Sequence, residues 1–133
     1  MNEQSQIELV KQGYDHFKNG DIESLLNLMS DDIQWESPKV DNVPFSGKHQ
    51  GKQMVREFFQ QLASEQDAIE FMPMEFIAQG DKVVCLGRDE WKTKDGHGFG
   101  GDWAHVFTVR DGKVVAVHEY LDTAAAAAAY SRG

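Results

Sequence analysis

His105 and Glu119 are the side chains best suited to chemistry in this chain, because each interrupts an otherwise apolar strand pattern. The stretch 101–123 reads as two strands joined by Arg110-Asp111-Gly112, with Trp103, His105 and Glu119 where more valine would be expected. A polar group facing an apolar wall costs roughly 2–7 kcal/mol without a partner, so such groups mark a pocket. Histidine changes charge near neutral pH and suits general acid–base work. A glutamate against an apolar wall becomes a stronger base as burial raises its pKa. Arg88 follows Val84 and Leu86 at alternate positions, with Glu90 next, as in a strand that starts in a core and ends at a polar mouth. It would orient a ligand oxygen or pair with Glu90 or Glu119.

Helices and strands must position these groups. Ile7, Val10, Tyr14 and Phe17 recur at spacings of three and four, one face of a helix over residues 4–19. Gly20 ends it and Asp21 caps a second helix carrying Leu25, Leu26, Leu28 and Met29, stopped by Asp31-Asp32. A short strand, Ile33 to Ser37, precedes Pro38, and residues 38–51 read as a loop. A third helix over 51–65 turns Met54, Val55, Phe58, Phe59 and Leu62 inward. Strands follow at Ile69–Ala78, Val83–Thr93, Phe99–Val109 and Val114–Leu121. The alanine-rich tail from Ala124 predicts a short, frayed helix with little to bury, capped by Asp122. The order is α+β: three N-terminal helices packed on a curved, mostly antiparallel sheet that forms a cone-shaped barrel around a cavity. Residues 1–133 read as one domain.

The turn sets which side chains meet. A two-residue turn at Asp111-Gly112 puts Val109 opposite Val114 and His105 opposite His118. A three-residue turn with Gly112 in a bulge puts Val109 opposite Lys113, His105 opposite Val117 and Trp103 opposite Glu119. We favour the second, which turns Trp103, His105, Phe107, Val117, Glu119 and Leu121 inward and leaves His118 and Tyr120 outward. On the preceding strand Val84, Leu86, Arg88 and Glu90 share one face, and Val83, Cys85, Gly87, Asp89 and Trp91 the other.

Composition narrows the function. The 133 residues are 41% hydrophobic and 26% charged, with a net charge of −9. That field repels a phosphate backbone, so no nucleic acid is expected as a partner. The single cysteine, Cys85, excludes a disulfide framework and a cysteine-based metal site. No basic region followed by an apolar run opens the chain and no long apolar span occurs, so neither a signal peptide nor a membrane is expected. The expected location is cytoplasmic.

Several segments together resemble the SnoaL-like polyketide cyclase and ketosteroid isomerase-like group, whose fold is shared with nuclear transport factor two. They are Gly20-Asp21-Ile-Glu-Ser-Leu-Leu, Asp31-Asp32-Ile-Gln-Trp, Gly51-Lys-Gln-Met-Val-Arg-Glu-Phe-Phe, Gly80-Asp81-Lys-Val-Val, Ala104-His105-Val-Phe-Thr-Val-Arg-Asp-Gly-Lys-Val and Glu119-Tyr-Leu-Asp-Thr. The resemblance implies a homodimer through the exposed sheet face. It places Ser37, before Pro38, where ketosteroid isomerases carry their general base, which a serine cannot replace. It places Gly13, beside Tyr14, where they carry an oxyanion tyrosine, and His105 where they carry a second oxyanion acid. Of the Asp–Arg–Asp set of limonene epoxide hydrolases, the last acid falls on Glu119, the other acid on Arg88 and the arginine on Leu86.

The expected function is a small enzyme that needs no cofactor and no metal. It would carry out isomerisation, aldol cyclisation or hydration on an apolar organic molecule. Glu119 is the expected base, His105 the acid or oxyanion donor, and Arg88 the electrostatic support. The expected lining is Tyr14, Phe17, Trp35, Ser37, Met54, Phe58, Glu90, Trp103, Phe107, Val117 and Leu121. The alternative is a non-catalytic binder of a small hydrophobic ligand on the same fold.

Overall fold

Caps and glycines set the helix ends. In the computed structural model, which describes residues 1–131, α1 spans Glu3–Lys18 and α2 spans Ile22–Asn27. Asn2 accepts the Ser5 N–H at 2.7 Å, and Asp21 accepts the Ser24 N–H at 3.1 Å, each satisfying a first-turn donor the helix itself cannot. Gly20, at φ 73°, makes the left-handed turn between the two helices. The second helix is shorter than expected. Strand β1, Met29–Glu36, already begins at Met29, so Asp31 and Asp32 lie within a strand, exposed, rather than ending a helix. Met29 and Ile33 are buried there, on the inward face of the strand.

The segment read as a loop contains a further strand, β2, Lys48–Gln50, paired antiparallel with β1. Three residues between Gly47 and Gly51 are too few for a period to show. Then come α3 at Lys52–Glu65, β3 at Gln66–Gln79, β4 at Lys82–Thr93, β5 at Gly98–Arg110, β6 at Lys113–Tyr120 and α4 at Thr123–Tyr130. The sheet order is β2-β1-β6-β5-β4-β3, with β1 parallel to β6 and every other pair antiparallel. The sheet is open, and Pro73 sits on its edge strand β3, where a missing N–H disrupts no second neighbour.

The inward faces of β1, β4, β5 and β6 pack against α1 and α3. Leu26, Ile33, Val55, Val83, Val109 and Val117 are almost wholly excluded from water, each contributing roughly 1.5–3 kcal/mol of burial. Helix α4 is not a frayed end. Ala126 and Ala129 are buried, and Tyr130 Oη donates to Gln66 Oε1 at 2.6 Å. Tyr130 also meets Phe45 and Phe99 edge-on. Small side chains let this helix sit close over the end of the sheet. Among the described residues no helix is long and apolar enough to cross a membrane.

The β5–β6 connection differs from the favoured reading. Asp111 (φ 52°) and Gly112 (φ 76°) make a two-residue turn with both central residues left-handed, and Arg110 faces Lys113. A bulge then absorbs Val115, between the pairs Val109–Val114 and Thr108–Ala116. Beyond it Phe107 faces Val117 and His105 faces Glu119. The expected pairs His105–Val117 and Trp103–Glu119 do not form. The bulge nevertheless restores the parity that turns Val117 and Glu119 inward.

Candidate functional site

Glu119 and His105 are opposed on neighbouring strands, and their side chains are 15% and 10% exposed. His105 Nε2 lies 3.1 Å from Glu119 Oε2. Its Nδ1 lies 2.8 Å from Tyr14 Oη, which reaches down from the apolar stripe of α1. β1 supplies the far side of the carboxylate. Because β1 runs parallel to β6, with Trp35 beside Val117, Trp35 and Ser37 face Glu119 at alternate positions. Trp35 Nε1 donates to Glu119 Oε1 at 2.9 Å and Ser37 Oγ donates to the same oxygen at 2.6 Å. Ser37 is held in turn by its N–H, which donates to the Gly47 carbonyl at 2.8 Å.

These contacts set the charges. Burial alone pushes the Glu119 carboxyl up, but His105, Ser37 and Trp35 together outweigh it and hold the group below its usual value. The raised basicity expected from an apolar wall is therefore reversed, because the wall carries three donors. Burial drives the Tyr14 phenol well above its ordinary range, with Cys85 and Glu119 adding to the effect, so Tyr14 keeps its proton. With an ionised Glu119 accepting from Nε2–H, neutral His105 accepts a hydrogen bond from the Tyr14 hydroxyl at Nδ1. When His105 is doubly protonated, Nδ1–H donates to Tyr14 Oη instead, and the phenolic hydrogen is free for another acceptor.

The line Tyr14–His105–Glu119 borders a cavity of about 150 Å³ between the helices and the sheet. That is about the free volume of one benzene-sized ring. Of the expected lining, Tyr14, Phe17, Trp35, Ser37, Phe58, Trp103, Phe107, Val117 and Leu121 reach this cavity. Leu121 stands at its rim, 36% exposed. Three expected residues do not reach it. Met54 is 47% exposed on the outer side of α3. Arg88 and Glu90 lie on the outer face of β4, where Arg88 Nε is 3.4 Å from Asp102 Oδ1 and both side chains are mostly exposed. The inward face of β4 is the other one: Val83 and Cys85 at 0% exposure, then Gly87, Asp89 and Trp91. Arg88 is therefore not among the residues that line the cavity, although its partner Asp102 is.

Asp89 is the acid that sequence reasoning passed over. It lines the cavity and accepts from Trp91 Nε1 at 2.9 Å. Burial raises its carboxyl, with Trp91 and the nearby His105 pulling partly back. Its cross-strand partner is Gly101, which has no side chain to cover it. The available signal was the pairing of Asp89 with Trp91 at alternate positions beside Val83 and Cys85. Helix α4 adds Ala126 and Tyr130 to the wall. Among the described residues no Lys or Arg lines the cavity, and no three His, Cys, Asp or Glu side chains converge to hold a metal ion.

An open mixed sheet wrapped by helices around such a cavity defines an NTF2-like α+β protein. Residues 10–117 match the profile of the SnoaL-like domain, and the chain belongs to that family. It is similar to an NTF2-like protein from Burkholderia xenovorans LB400, 31% identical over 98% of each chain with a TM-score of 0.88. It is also similar to TerC, crystallised with polyporic acid: 30% identical over 96% of this chain and 98% of TerC, with a TM-score of 0.87. An NTF2-like protein of unknown function from Burkholderia pseudomallei K96243 shares the fold at 23% identity, over 98% of this chain and 99% of its own, with a TM-score of 0.85. No curated protein matches the chain.

Proposed function

We propose that this protein is an acid–base enzyme acting on a small apolar organic molecule in the cavity, by isomerisation, aldol closure or addition of water. The observation that carries the proposal is the buried line of Tyr14, His105 and Glu119 along the cavity wall. Tyr14 Oη takes a proton from the substrate, or, where water adds, from the attacking water as its oxygen bonds to the substrate, while its own proton passes to His105 Nδ1. The imidazolium so formed is paired with Glu119. The reverse movement returns a proton to another atom of the same molecule, so no net charge is left on substrate or protein. Positioned proton transfer of this kind contributes roughly 10²–10⁴-fold to rate. Glu119 acts here as counter-charge and orienter of His105 rather than as the base itself. TerC's crystallisation with polyporic acid supports a ligand-holding role for the cavity. The exposed outer sheet face, with Met72, Ile77 and Tyr120, is proposed to join two copies.

A binding protein without catalysis is the second reading. It is favoured by one observation: both Glu119 oxygens and both His105 nitrogens already have protein partners. A thermal-shift screen of uncharged cyclic ketones, phenols and quinones, followed by product analysis of each hit, separates the two. Conversion of a hit, lost in Tyr14→Phe and in Glu119→Gln, supports the enzyme. Tight binding of every hit with no chemical change overturns it.

A further inference from the structure

His105 is held by a ring stack as well as by hydrogen bonds. Trp103, two residues earlier on the same face of β5, lies with its ring centroid 4.1 Å from that of His105 at 23° between planes. Phe71 of β3 stacks on the same indole at 5.1 Å and 10°. The indole fits only because of its cross-strand neighbour, Gly87. A Cβ on Gly87 would lie 2.7 Å from Trp103 Cε2 and would also overlap Cζ2 and the Met72 carbonyl. Gly87 carries no left-handed backbone angle, so space, and not conformation, calls for glycine there.

The indole also bears a cost that a phenyl ring would not. Trp103 Nε1 is buried with no partner among the described residues, whereas buried donors are normally paired. The chain keeps the larger ring face at this position despite that orphaned donor.

The geometry points to Trp103, seated in the Gly87 notch, as a positioning residue for His105. Its face fixes the imidazole plane so that Nε2 points to Glu119 and Nδ1 to Tyr14 at once. The Cβ–Cγ bond and those two hydrogen bonds set the mean plane of the ring, and the stack narrows its tilting about that plane. This inference rests on the proposed reading of His105 as the proton carrier.

The test is nitrogen-15 NMR of the His105 ring in the intact protein. In the parent, the Nε2–H signal is expected in slow exchange with water, with the nitrogen pattern of a single tautomer. Trp103→Phe should keep both features. Trp103→Leu should speed the exchange roughly three- to tenfold, in line with the strength of aromatic stacking, and mix the tautomers, while the backbone amide spectrum stays dispersed. Gly87→Ala, which displaces the ring with Trp103 still present, should do the same. Should Trp103→Leu fail to fold, Trp103→Met, which fills the space without a ring face, is measured in its place. Exchange and tautomer pattern unchanged in the ring-less variant would overturn the inference. No substrate enters this experiment, so an inactive parent would count against the proton-transfer reading and leave the positioning result standing.

Discussion

Replacing Glu119 by Gln isolates the contribution of the buried charge. The carboxylate accepts three bonds, from Trp35 and Ser37 at Oε1 and from His105 at Oε2. The amide oxygen of glutamine can keep the first two. Its NH2 group then faces the His105 Nε2–H, a donor against a donor, and His105 loses its counter-charge. A bond to a charged group contributes about 1.5–3 kcal/mol, and a flip of the His105 tautomer recovers a part of the loss. The expected cost at pH 7 is therefore about 1–2 kcal/mol, followed by urea unfolding with tryptophan fluorescence as the signal. The pH dependence carries the sharper test. Glu119 is held below its ordinary value of 4.5 in the folded chain, so its ionisation favours folding. That stability is present above pH 4.5 and is lost as pH falls through the lower folded value. Glutamine does not titrate, so the gap between parent and variant should narrow steadily below pH 4.5. A gap that stays constant down to pH 3, or no gap at pH 7, would refute the assignment of a stabilised buried carboxylate.

Asp89 should behave in the opposite sense. Burial raises its folded-state pKa above the ordinary 3.8, so its stabilising contribution is present below that value and is lost as pH rises through the folded one. Asp89→Asn should then gain melting temperature relative to the parent between pH 4 and pH 8, and an unchanged difference across that range would count against a buried acid. Ala126 is 4% exposed in the cavity wall; Ala126→Trp should abolish calorimetric binding of any hit from the ligand screen while the far-ultraviolet circular dichroism stays the same. Tyr120, 50% exposed on the outer sheet face, is proposed to lie in a dimer contact. Light scattering of the parent at micromolar concentration should give twice the monomer mass, and Tyr120→Arg should halve it.

The sequence was most legible where one face of an element is apolar and the other polar. The α1 stripe through Val10 and Tyr14, and the inward set on β5 and β6, show this. β4 has two apolar faces: Val83 and Cys85 inward, Val84 and Leu86 outward. Period alone therefore could not choose between Asp89 and Arg88, and the arginine was placed in the cavity. Gly87 disguised the inner face further, since the side chain filling its place comes from Trp103 on the next strand. The Val115 bulge was illegible because nothing in Lys113-Val114-Val115-Ala116 marks which residue goes unpaired. Helix α4 was underestimated because alanine reads as having little to bury, whereas here its small size permits close approach. Two of the hydrogen bonds that lower Glu119 come from Trp35 on β1 and Ser37 just after it, more than eighty residues away, and the parallel β1–β6 pairing that brings them together has no local signature.

Proton exchange at carbon tests the account most directly. Parent protein, Tyr14→Phe and Glu119→Gln are incubated in D2O with each cyclic ketone, phenol or quinone that binds, and deuterium at carbon is followed by proton NMR. The account predicts incorporation above the buffer rate with the parent, and a fall of roughly 10²-fold or more in both variants. Saturating binding with incorporation at the buffer rate, or equal rates in all three proteins, would contradict a proton-transfer site built from Tyr14, His105 and Glu119.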